Sequence, residues 1–297
     1  MGPKEEIHDI IVVGAGPAGL TAAIYCGRFR RPCVVLEDAH SRARWIPTSH
    51  NIPGFTAGIG GEEYLARLNQ QAMQFGTQSR HAHVSSLTIE EGIFRLHTDD
   101  GALLSRYVLL ATGVRDKLPP MEGAEDAVRR GVLRVCPICD GFEAIDRRIA
   151  VIGDGAAGER EAEFLRNYSD RVTLLELASR HGRKDWTPCS GGIERISVML
   201  SELKVKNDRV TLSTPEGERN FDVVYLALGC RPQHKLARCL NAQCDERGAL
   251  LVNGHQETSV PRLYAAGDVV RGLNQVVVAA AEGAIAAVDI HNKLRAT

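Results

Sequence analysis

The sequence predicts an α/β fold that contains two Rossmann-like three-layer dinucleotide-binding domains. Residues 9–13 (DIIVV) form a short β-branched run typical of a buried parallel strand, and a glycine-rich turn and a helix of small residues follow. The same order of strand, glycine-rich turn and helix recurs from residue 148 (RIAVI, then GDGAAG). In both copies an acid ends the next strand at the same offset from the first glycine, 14 to 37 and 153 to 176. This repetition predicts two dinucleotide-binding folds.

The first glycine-rich turn has the residue types that a dinucleotide site requires. Gly14 permits the tight turn, Gly16 lets a pyrophosphate approach the backbone, and Gly19 lets the helix pack close to the strand. Glu37, at the end of the next strand, is placed to accept hydrogen bonds from a ribose. The candidate binding residues of this turn are Gly14, Gly16, Pro17, Ala18 and Gly19.

The second glycine-rich turn carries Gly153, Gly155 and Gly158 and differs from the first in its charge. Asp154 lies inside it, where a pyrophosphate would sit, and Glu176 ends the following strand. An acid at that strand end suits a free ribose and repels a 2′-phosphate. If this site binds a nicotinamide nucleotide, we therefore expect NADH rather than NADPH.

The rest of the pattern predicts a long loop, further strands and a buried last helix. Residues 41–61 have no hydrophobic period, so we expect a long loop of the kind that carries function. Residues 275–294 are rich in alanine and valine, which predicts a buried helix in the core of the first domain. The other predicted elements are a helix at 62–75, a hairpin turn at 99–101, a meander with strands at 204–206, 209–213 and 221–228, and strands at 107–111, 250–252 and 263–266.

Composition and charge argue against several classes of protein. The 297 residues are enough for two domains, and 44% hydrophobic with 25% charged residues is typical of a globular protein. The 36 basic and 37 acidic residues give a net charge of −1 without a block of one sign, so we expect no binding to nucleic acid or to an anionic membrane. No export signal is expected at residues 1–6, and the apolar run 276–281 is far below the roughly 18 residues that span a bilayer. We therefore expect a cytoplasmic protein.

Residues 136–143 (CPICDGFE) are the candidate reactive segment. Cys136 and Cys139 are separated by two residues, a spacing that can close a small disulfide where the backbone begins a helix. Asp140 follows directly and is placed to move a proton as one sulfur leaves. In a reducing compartment such a pair is catalytic or metal-binding, but zinc would need a second pair, so we expect no metal. A pair of buried structural thiols is the alternative interpretation.

These motifs together resemble the low-molecular-weight thioredoxin reductases, two-domain flavoproteins of the pyridine nucleotide–disulfide oxidoreductase superfamily. The resemblance extends over nearly the whole chain. It implies an FAD domain built from both ends, residues 1–115 and 247–297, with a second nucleotide domain, residues 116–246, inserted between them and carrying the cysteine pair. The shared motifs are GAGPAG (14–19), HNIPGF (50–55), ATG (111–113), CPICDGF (136–142), the second glycine-rich turn and YAAGD (264–268).

The resemblance also implies roles for individual residues. Cys139 would face the flavin, Cys136 would attack or release the partner disulfide, and Asp140 would act as the acid–base group. Gln275 would place its backbone at the N1–C2 carbonyl edge of the flavin. The implied partner is a thioredoxin-like protein or a small disulfide or dithiol, and the implied assembly is a homodimer. Implied FAD contacts beyond the first turn are Glu37, Asn51, Thr112, Gly113, Gly267, Asp268, Gln275 and Val276.

The chain departs from the family pattern at three places. Members that use NADPH have a His-Arg-Arg stretch where this chain has Glu176, and Arg180 and Arg183 follow only later. The family's Gly-Gly-Gln stretch is replaced by residues 41–47 (SRARWIP), and its Arg-Gln-Ala by residues 274–276 (NQV). These departures resemble atypical members that take electrons from another donor, or that act as flavin dithiol oxidases with oxygen as acceptor. A flavin-binding redox sensor without turnover is the third alternative.

Overall fold

A computed structural model describes residues 6–121, 123–177, 192–199, 201, 203–206, 208–214 and 217–296, and it confirms the predicted α/β class. The helices are α1 (Pro17–Arg28), α2 (Gly61–Met73), α3 (Ala124–Arg129), α4 (Pro137–Asp140), α5 (Gly155–Leu165), α6 (Lys235–Arg238) and α7 (Val276–Ala296). The strands are β1 (Ile7–Val13), β2 (Val34–Glu37), β3 (Gln78–His81), β4 (Val84–Glu90), β5 (Ile93–Thr98), β6 (Gly101–Leu110), β7 (Val114–Asp116), β8 (Leu133–Arg134), β9 (Ile149–Gly153), β10 (Val172–Leu177), β11 (Glu194–Val198), β12 (Leu203–Lys206), β13 (Arg209–Thr214), β14 (Gly217–Phe221), β15 (Val223–Ala227), β16 (Cys230–Pro232) and β17 (Leu263–Ala265).

The first sheet has seven strands and a parallel core. Strands β3, β2, β1, β6 and β17 lie side by side and run parallel, which is the arrangement of a Rossmann-like unit. The first half of β6 also pairs with antiparallel β5, and β4 follows at the edge. Ile10 and Val12 of β1 face one core cluster and Ile11 and Val13 face the other. Both faces of the sheet are therefore covered.

The last helix completes the core of the first sheet, as predicted from its composition. α7 crosses α1 where Gly283 meets Ala18, and a Cβ on Gly283 would lie 2.1 Å from the Ala18 carbonyl oxygen. Ala286 and Ala287 are fully buried in the same cluster as Ile10. Small side chains thus let the two helices pack closely on one face of the sheet. In the described part of the chain, no helix combines the length and apolarity needed to cross a bilayer.

The second sheet has five strands, all parallel, in the order β11, β10, β9, β15, β8. Every residue of β9 is buried, and α5 starts just after it at Gly155. This is the second Rossmann-like unit, at the position of the second glycine-rich turn. It is flanked by the antiparallel sheet of β12, β13 and β14.

The predicted strand at 221–228 was wrong, because the structure divides it between two sheets. The meander ends with β14 at Phe221, and β15 begins at Val223 as a central strand of the parallel sheet. Asp222 lies at the change of direction, where its carboxylate accepts hydrogen bonds from the backbone and guanidinium of Arg148. Hydrophobic period does not reveal such a switch, because residues 221–228 (FDVVYLAL) are apolar apart from Asp222.

Three further details differ from the predictions. The predicted loop 41–61 contains a 3₁₀ turn, Arg42–Trp45, and a bridge between Ser49 and Ile59. Strands β3 and β4 were not predicted, because β3 is polar and short and only Val84 and Leu87 of β4 are buried. Residues 250–252 form only isolated bridges rather than a strand. β3 depends on β2, a partner distant in sequence that hydrophobic period does not reveal.

Two chain crossings connect the sheets. β7 and β16 pair antiparallel, with Asp116 opposite Cys230 and Val114 opposite Pro232. Leu236 of α6 is buried in a core cluster of the first sheet. The domain boundaries predicted at 115/116 and 246/247 stay predictions, and the packing of Leu236 favours a return to the first domain nearer Pro232.

Candidate active site

The cysteine pair lies at the start of a short helix, as its spacing predicts. The structure joins Cys136 and Cys139 by a disulfide with a Cα–Cα separation of 5.3 Å. Pro137 occupies the first turn of α4, and the backbone N–H of Cys139 donates to the Cys136 carbonyl at 3.0 Å. Both cysteines are half-buried. The turn thus presents two sulfurs side by side at the surface of the second unit.

A cavity of about 520 Å³ extends from the first glycine-rich turn to this disulfide. Gly19 and Gly267 of the predicted set do not line it, because Gly19 packs against Gly14 and the Gly267 N–H donates to Glu282 at 2.7 Å. The predicted residues that line the cavity are Gly14, Gly16, Pro17, Ala18, Glu37, Asn51, Thr112, Gly113, Cys136, Cys139, Asp140, Asp268, Gln275 and Val276. Most of the predicted flavin and redox residues therefore share one cavity.

The glycine-rich end of this cavity fits a dinucleotide pyrophosphate. Gly14 has a φ of +111°, and a Cβ there would lie 2.3 Å from the Ala111 carbonyl oxygen, so no side chain is accommodated. The N-terminus of α1 has no side-chain cap, so its first-turn N–H groups are free to bind an anion. FAD, which the resemblance implies, matches this cradle.

Two arginines that were not among the predicted site residues lie near this end of the cavity, and Arg42 lines it. Arg42 donates to Asp116 through Nε at 2.6 Å and Nη2 at 2.9 Å, and to Asp268 through Nη1 at 3.2 Å. Burial raises the pKa of Asp268, and Arg42 opposes that shift. Arg44 lies 3.5 Å from the carboxylate of Glu37. Both arginines come from the segment that replaces the family's Gly-Gly-Gln stretch. That departure from the family pattern is the sequence feature that could have identified them as site residues.

The far end of the cavity joins the predicted flavin residues to the disulfide. The side-chain amide nitrogen of Gln275 lies 3.5 Å from Cys136 Sγ and 3.4 Å from Cys139 Sγ. Its amide oxygen accepts a hydrogen bond from Asn51 Nδ2 at 3.0 Å. The backbone N–H of Gln275 donates to Leu273, so it is engaged within its own turn. The side chain of Gln275, rather than its backbone, makes these contacts.

Asp140 is the acid next to the pair, and its surroundings alter its titration. Burial raises the pKa of Asp140 to about 6, while Arg134 and Tyr225 act in the opposite direction. Arg134 Nε lies 3.7 Å from a carboxylate oxygen, and Tyr225 donates to the Asp140 carbonyl at 3.0 Å. Within the described residues, the other carboxylate oxygen is buried without a hydrogen-bond partner. A carboxyl group with this pKa can hold and release a proton near neutral pH.

The second glycine-rich turn lies apart from this cavity. Gly153, Gly155 and Gly158 surround the start of α5, and none of them lines the cavity described above. Glu176 is the penultimate residue of β10, and Arg195 Nη1 lies 3.5 Å from its carboxylate. The Arg195 guanidinium also binds Glu159. The carboxylate of Glu176 is therefore partly neutralised, which the sequence reading did not foresee, while Arg180 and Arg183 fall outside the described residues.

Comparison with known proteins agrees with this geometry. The family described as "Pyridine nucleotide-disulphide oxidoreductase" matches residues 8–283. Thioredoxin reductase of Treponema pallidum is 31% identical, with 95% of this chain and 96% of that protein aligned. The enzyme of Mycolicibacterium smegmatis is 30% identical, with 97% of each chain aligned. The solved thioredoxin reductase of Streptococcus pyogenes shares the fold, with a TM-score of 0.86 over 98% of this chain and 99% of that one at 23% identity. The chain therefore belongs to the low-molecular-weight thioredoxin reductase family of the pyridine nucleotide–disulphide oxidoreductases.

Proposed function

We propose that this flavin-dependent thiol–disulfide oxidoreductase passes electrons from bound FAD to the Cys136–Cys139 disulfide and then to the disulfide of a thioredoxin-like protein. The observation that supports this route most directly is the cavity that runs from the first glycine-rich turn to the two sulfurs. The thioredoxin reductases among its relatives supply the class of partner. When bound, FAD supplies the two electrons that reduce the disulfide.

The residues around the pair have separate roles in the exchange with the partner. The Cys136 thiolate attacks one sulfur of the partner disulfide, which breaks that bond and leaves a mixed disulfide. Cys139 then attacks Cys136, which releases the second partner sulfur and restores the internal disulfide. Asp140 gives its proton to a departing sulfur, because its raised pKa keeps part of it protonated near neutral pH.

We further propose that the second unit binds a nicotinamide nucleotide and favours NADH over NADPH. Two acids, Glu176 and Glu159, meet one guanidinium, that of Arg195. Among the described residues, this gives more acidic than basic charge at the strand end where a 2′-phosphate would lie, and like charges repel.

A flavin dithiol oxidase is the second candidate function. In it a small dithiol would be oxidised to its disulfide as it reduces the Cys136–Cys139 disulfide, and oxygen would accept the two electrons by way of bound FAD to give hydrogen peroxide. The acidic end of the strand at Glu176 favours this function. An enzyme that does not take electrons from NADPH needs no basic residues there to bind a 2′-phosphate. Oxygen consumption with dithiothreitol and without nicotinamide would distinguish it.

The homodimer is also part of the proposal. Val277, Ile285 and Val288 are 42%, 41% and 39% exposed and lie on one face of α7 with helical spacing. An apolar stripe on the last helix suits a second copy of the chain. Light scattering should give the mass of a dimer for the native chain and of a monomer for Ile285→Asp. Ile89→Asp, an equally exposed position on β4, is the matched control and should leave the mass unchanged.

The central test follows reduction of a bacterial thioredoxin by the FAD-loaded protein with NADH or NADPH under anaerobic conditions. We expect turnover that is lost in both Cys136→Ser and Cys139→Ser, with FAD retained. Full activity in either variant would contradict the route. Rapid oxygen consumption with a dithiol, together with no reduction of thioredoxin, would instead establish the oxidase.

A further inference from the structure

We propose that the side-chain amide of Gln275 is a positioning group for the redox pair: it donates a hydrogen bond to the sulfurs and so stabilises the thiolate of the reduced form. This inference rests on the proposed redox role of Cys136 and Cys139. It concerns the side chain, whereas the expected flavin contact of this residue is made by its backbone. The geometry that carries it is the approach of Nε2 to both sulfurs, at 3.5 and 3.4 Å.

The chemistry of the disulfide fixes which way the amide points. A disulfide sulfur carries no hydrogen, so only the NH₂ end of Gln275 can form a hydrogen bond with it. The amide oxygen then faces Asn51, which must present its own NH₂ group, at 3.0 Å. The Asn51 oxygen in turn accepts from the hydroxyl of Ser49 at 2.8 Å. A chain of three side chains therefore holds one amide orientation.

Ser49, at one end of this series of hydrogen-bonded side chains, is held in place by the fold. Ser49 is buried, and its backbone N–H and C=O both pair with Ile59 across the loop. The other end is anchored as well, because Gln275 directly precedes α7 and its carbonyl accepts from the Ala279 N–H at 2.9 Å. The Gln275 side chain is thus held at its backbone and at its amide oxygen, so it loses little further conformational entropy when the amide nitrogen binds a sulfur. The donor is thus in place before the disulfide opens.

The effect of this donor differs between the two redox states. A neutral disulfide sulfur is a weak acceptor, whereas a thiolate makes a charge-assisted hydrogen bond of about twice the strength. Reduction breaks the S–S bond and adds two electrons, which leaves one sulfur protonated and the other able to stay a thiolate. The same N–H therefore stabilises the reduced pair more than the oxidised pair. It lowers the thiol pKa and favours acceptance of electrons by the disulfide.

Other charged groups face the pair and define what a test must separate. Asp140 and Glu143 come from the segment of the pair itself, Arg134 from β8 and His50 from the long loop. His50 Nδ1 lies 3.0 Å from the Glu143 carboxylate. None of these groups is altered by a substitution at residue 275. A shift in thiol titration in such a variant therefore reports the amide.

The FAD-loaded protein is reduced with dithiothreitol, the dithiothreitol is removed under anaerobic conditions, and alkylation by iodoacetamide is measured from about pH 5 to about pH 9. Peptide-resolved mass spectrometry follows Cys136 and Cys139, and exposed Cys239 serves as an internal reference. In Gln275→Met, which keeps the bulk and removes the donor, we expect the lower thiol pKa of the pair to rise by about one unit. The alkylation rate below that pKa should then fall about tenfold. Gln275→Glu should raise the pKa further, because a carboxylate opposes a thiolate.

Asn274→Ala is the matched control, since its amide lies next along the chain and contacts Cys230 at 3.9 Å instead of the pair. It should leave the profile of both cysteines unchanged. Unchanged profiles in Gln275→Met and Gln275→Glu overturn the inference, as does an equal shift in Asn274→Ala. The spectrum of bound FAD shows that each variant is folded. Failure of the native chain to reduce thioredoxin would count against the proposed function alone, because the alkylation profile does not depend on a partner.

Discussion

Arg42, which lines the proposed FAD cavity, forms a bidentate ion pair with Asp116, with donor–acceptor distances of 2.6 and 2.9 Å. The third donor of Arg42 reaches Asp268, so one guanidinium holds two carboxylates that lie far apart in the sequence. Both carboxylates are largely buried. The 3₁₀ turn that carries Arg42 is thereby tied to β7 and to the segment that precedes α7.

Arg42→Ala should release FAD more readily and destabilise the fold. The substitution leaves two buried carboxylates without their shared cation, which costs about 3 kcal/mol when a buried pair is broken. FAD fluorescence after dilution and the thermal unfolding temperature are the measurements. Arg67→Ala is the control, because its ion pair with Glu63 is exposed and contributes little. Equal FAD retention by the native chain and Arg42→Ala would contradict the assignment.

Asp140→Asn should slow turnover while making the protein more stable at neutral pH. Burial raises the pKa of Asp140 to about 6, above its ordinary value, so the folded state holds the proton more tightly than the unfolded state. Stability therefore falls as pH rises from about 4 through about 6, and the penalty persists above that range.

The asparagine variant lacks this penalty, which is about 3 kcal/mol at pH 7.5. Its unfolding temperature should exceed that of the native chain there, and the two should converge below about pH 4. Its turnover should drop by about a hundredfold or more, because the proposed general acid is lost. A variant that is less stable than the native chain at every pH would show that burial of the Asp140 carboxylate does not destabilise the fold.

Local patterns were enough to predict some parts of the molecule and not others. The strand, glycine-rich turn and helix of each unit are contiguous in the sequence. The hydrophobic period and the glycines of the turn were therefore enough to identify them. The Arg42–Asp116–Asp268 cluster joins positions 74 and 226 residues apart, and Tyr225 reaches Asp140 across 85 residues. Nothing in the local sequence encodes such pairs. The family motifs nevertheless predicted most of the residues that line the cavity, because a motif carries information about contacts between distant parts of the chain that local spacing does not contain.

Glu176→Gln should increase the use of NADPH relative to NADH. The substitution removes one of the two acids that meet Arg195, so the guanidinium is freer to bind a 2′-phosphate. We expect the ratio of kcat/KM for NADPH to that for NADH to rise by about three- to tenfold, since a partly exposed charge is screened. Glu194→Gln, whose exposed carboxylate pairs with Arg219, is the control. A native chain that already prefers NADPH would refute the proposed nucleotide selectivity.

Asp222→Asn should remove a part of the acid sensitivity of the fold. Asp222 accepts three hydrogen bonds from Arg148, through the backbone N–H at 3.0 Å and the guanidinium at 3.1 and 2.7 Å. These bonds lower the pKa of Asp222 to about 2, with burial acting in the opposite direction. Its folded pKa is thus below its unfolded value, so the stabilisation is complete above about pH 4 and is lost as pH falls toward about 2.

At pH 7 the variant should be less stable than the native chain by about 1 kcal/mol, a value discounted because the Arg148 side chain is 40% exposed. Between about pH 4 and about pH 2 the native chain should lose this advantage and the two should converge. Denaturant unfolding at several pH values measures it, with Asp170→Asn as the control, because that carboxylate is 95% exposed. Since Asp222 lies where the chain leaves the meander for β15, a constant difference at all pH values would mean that the side chain shapes the turn without its charge being involved.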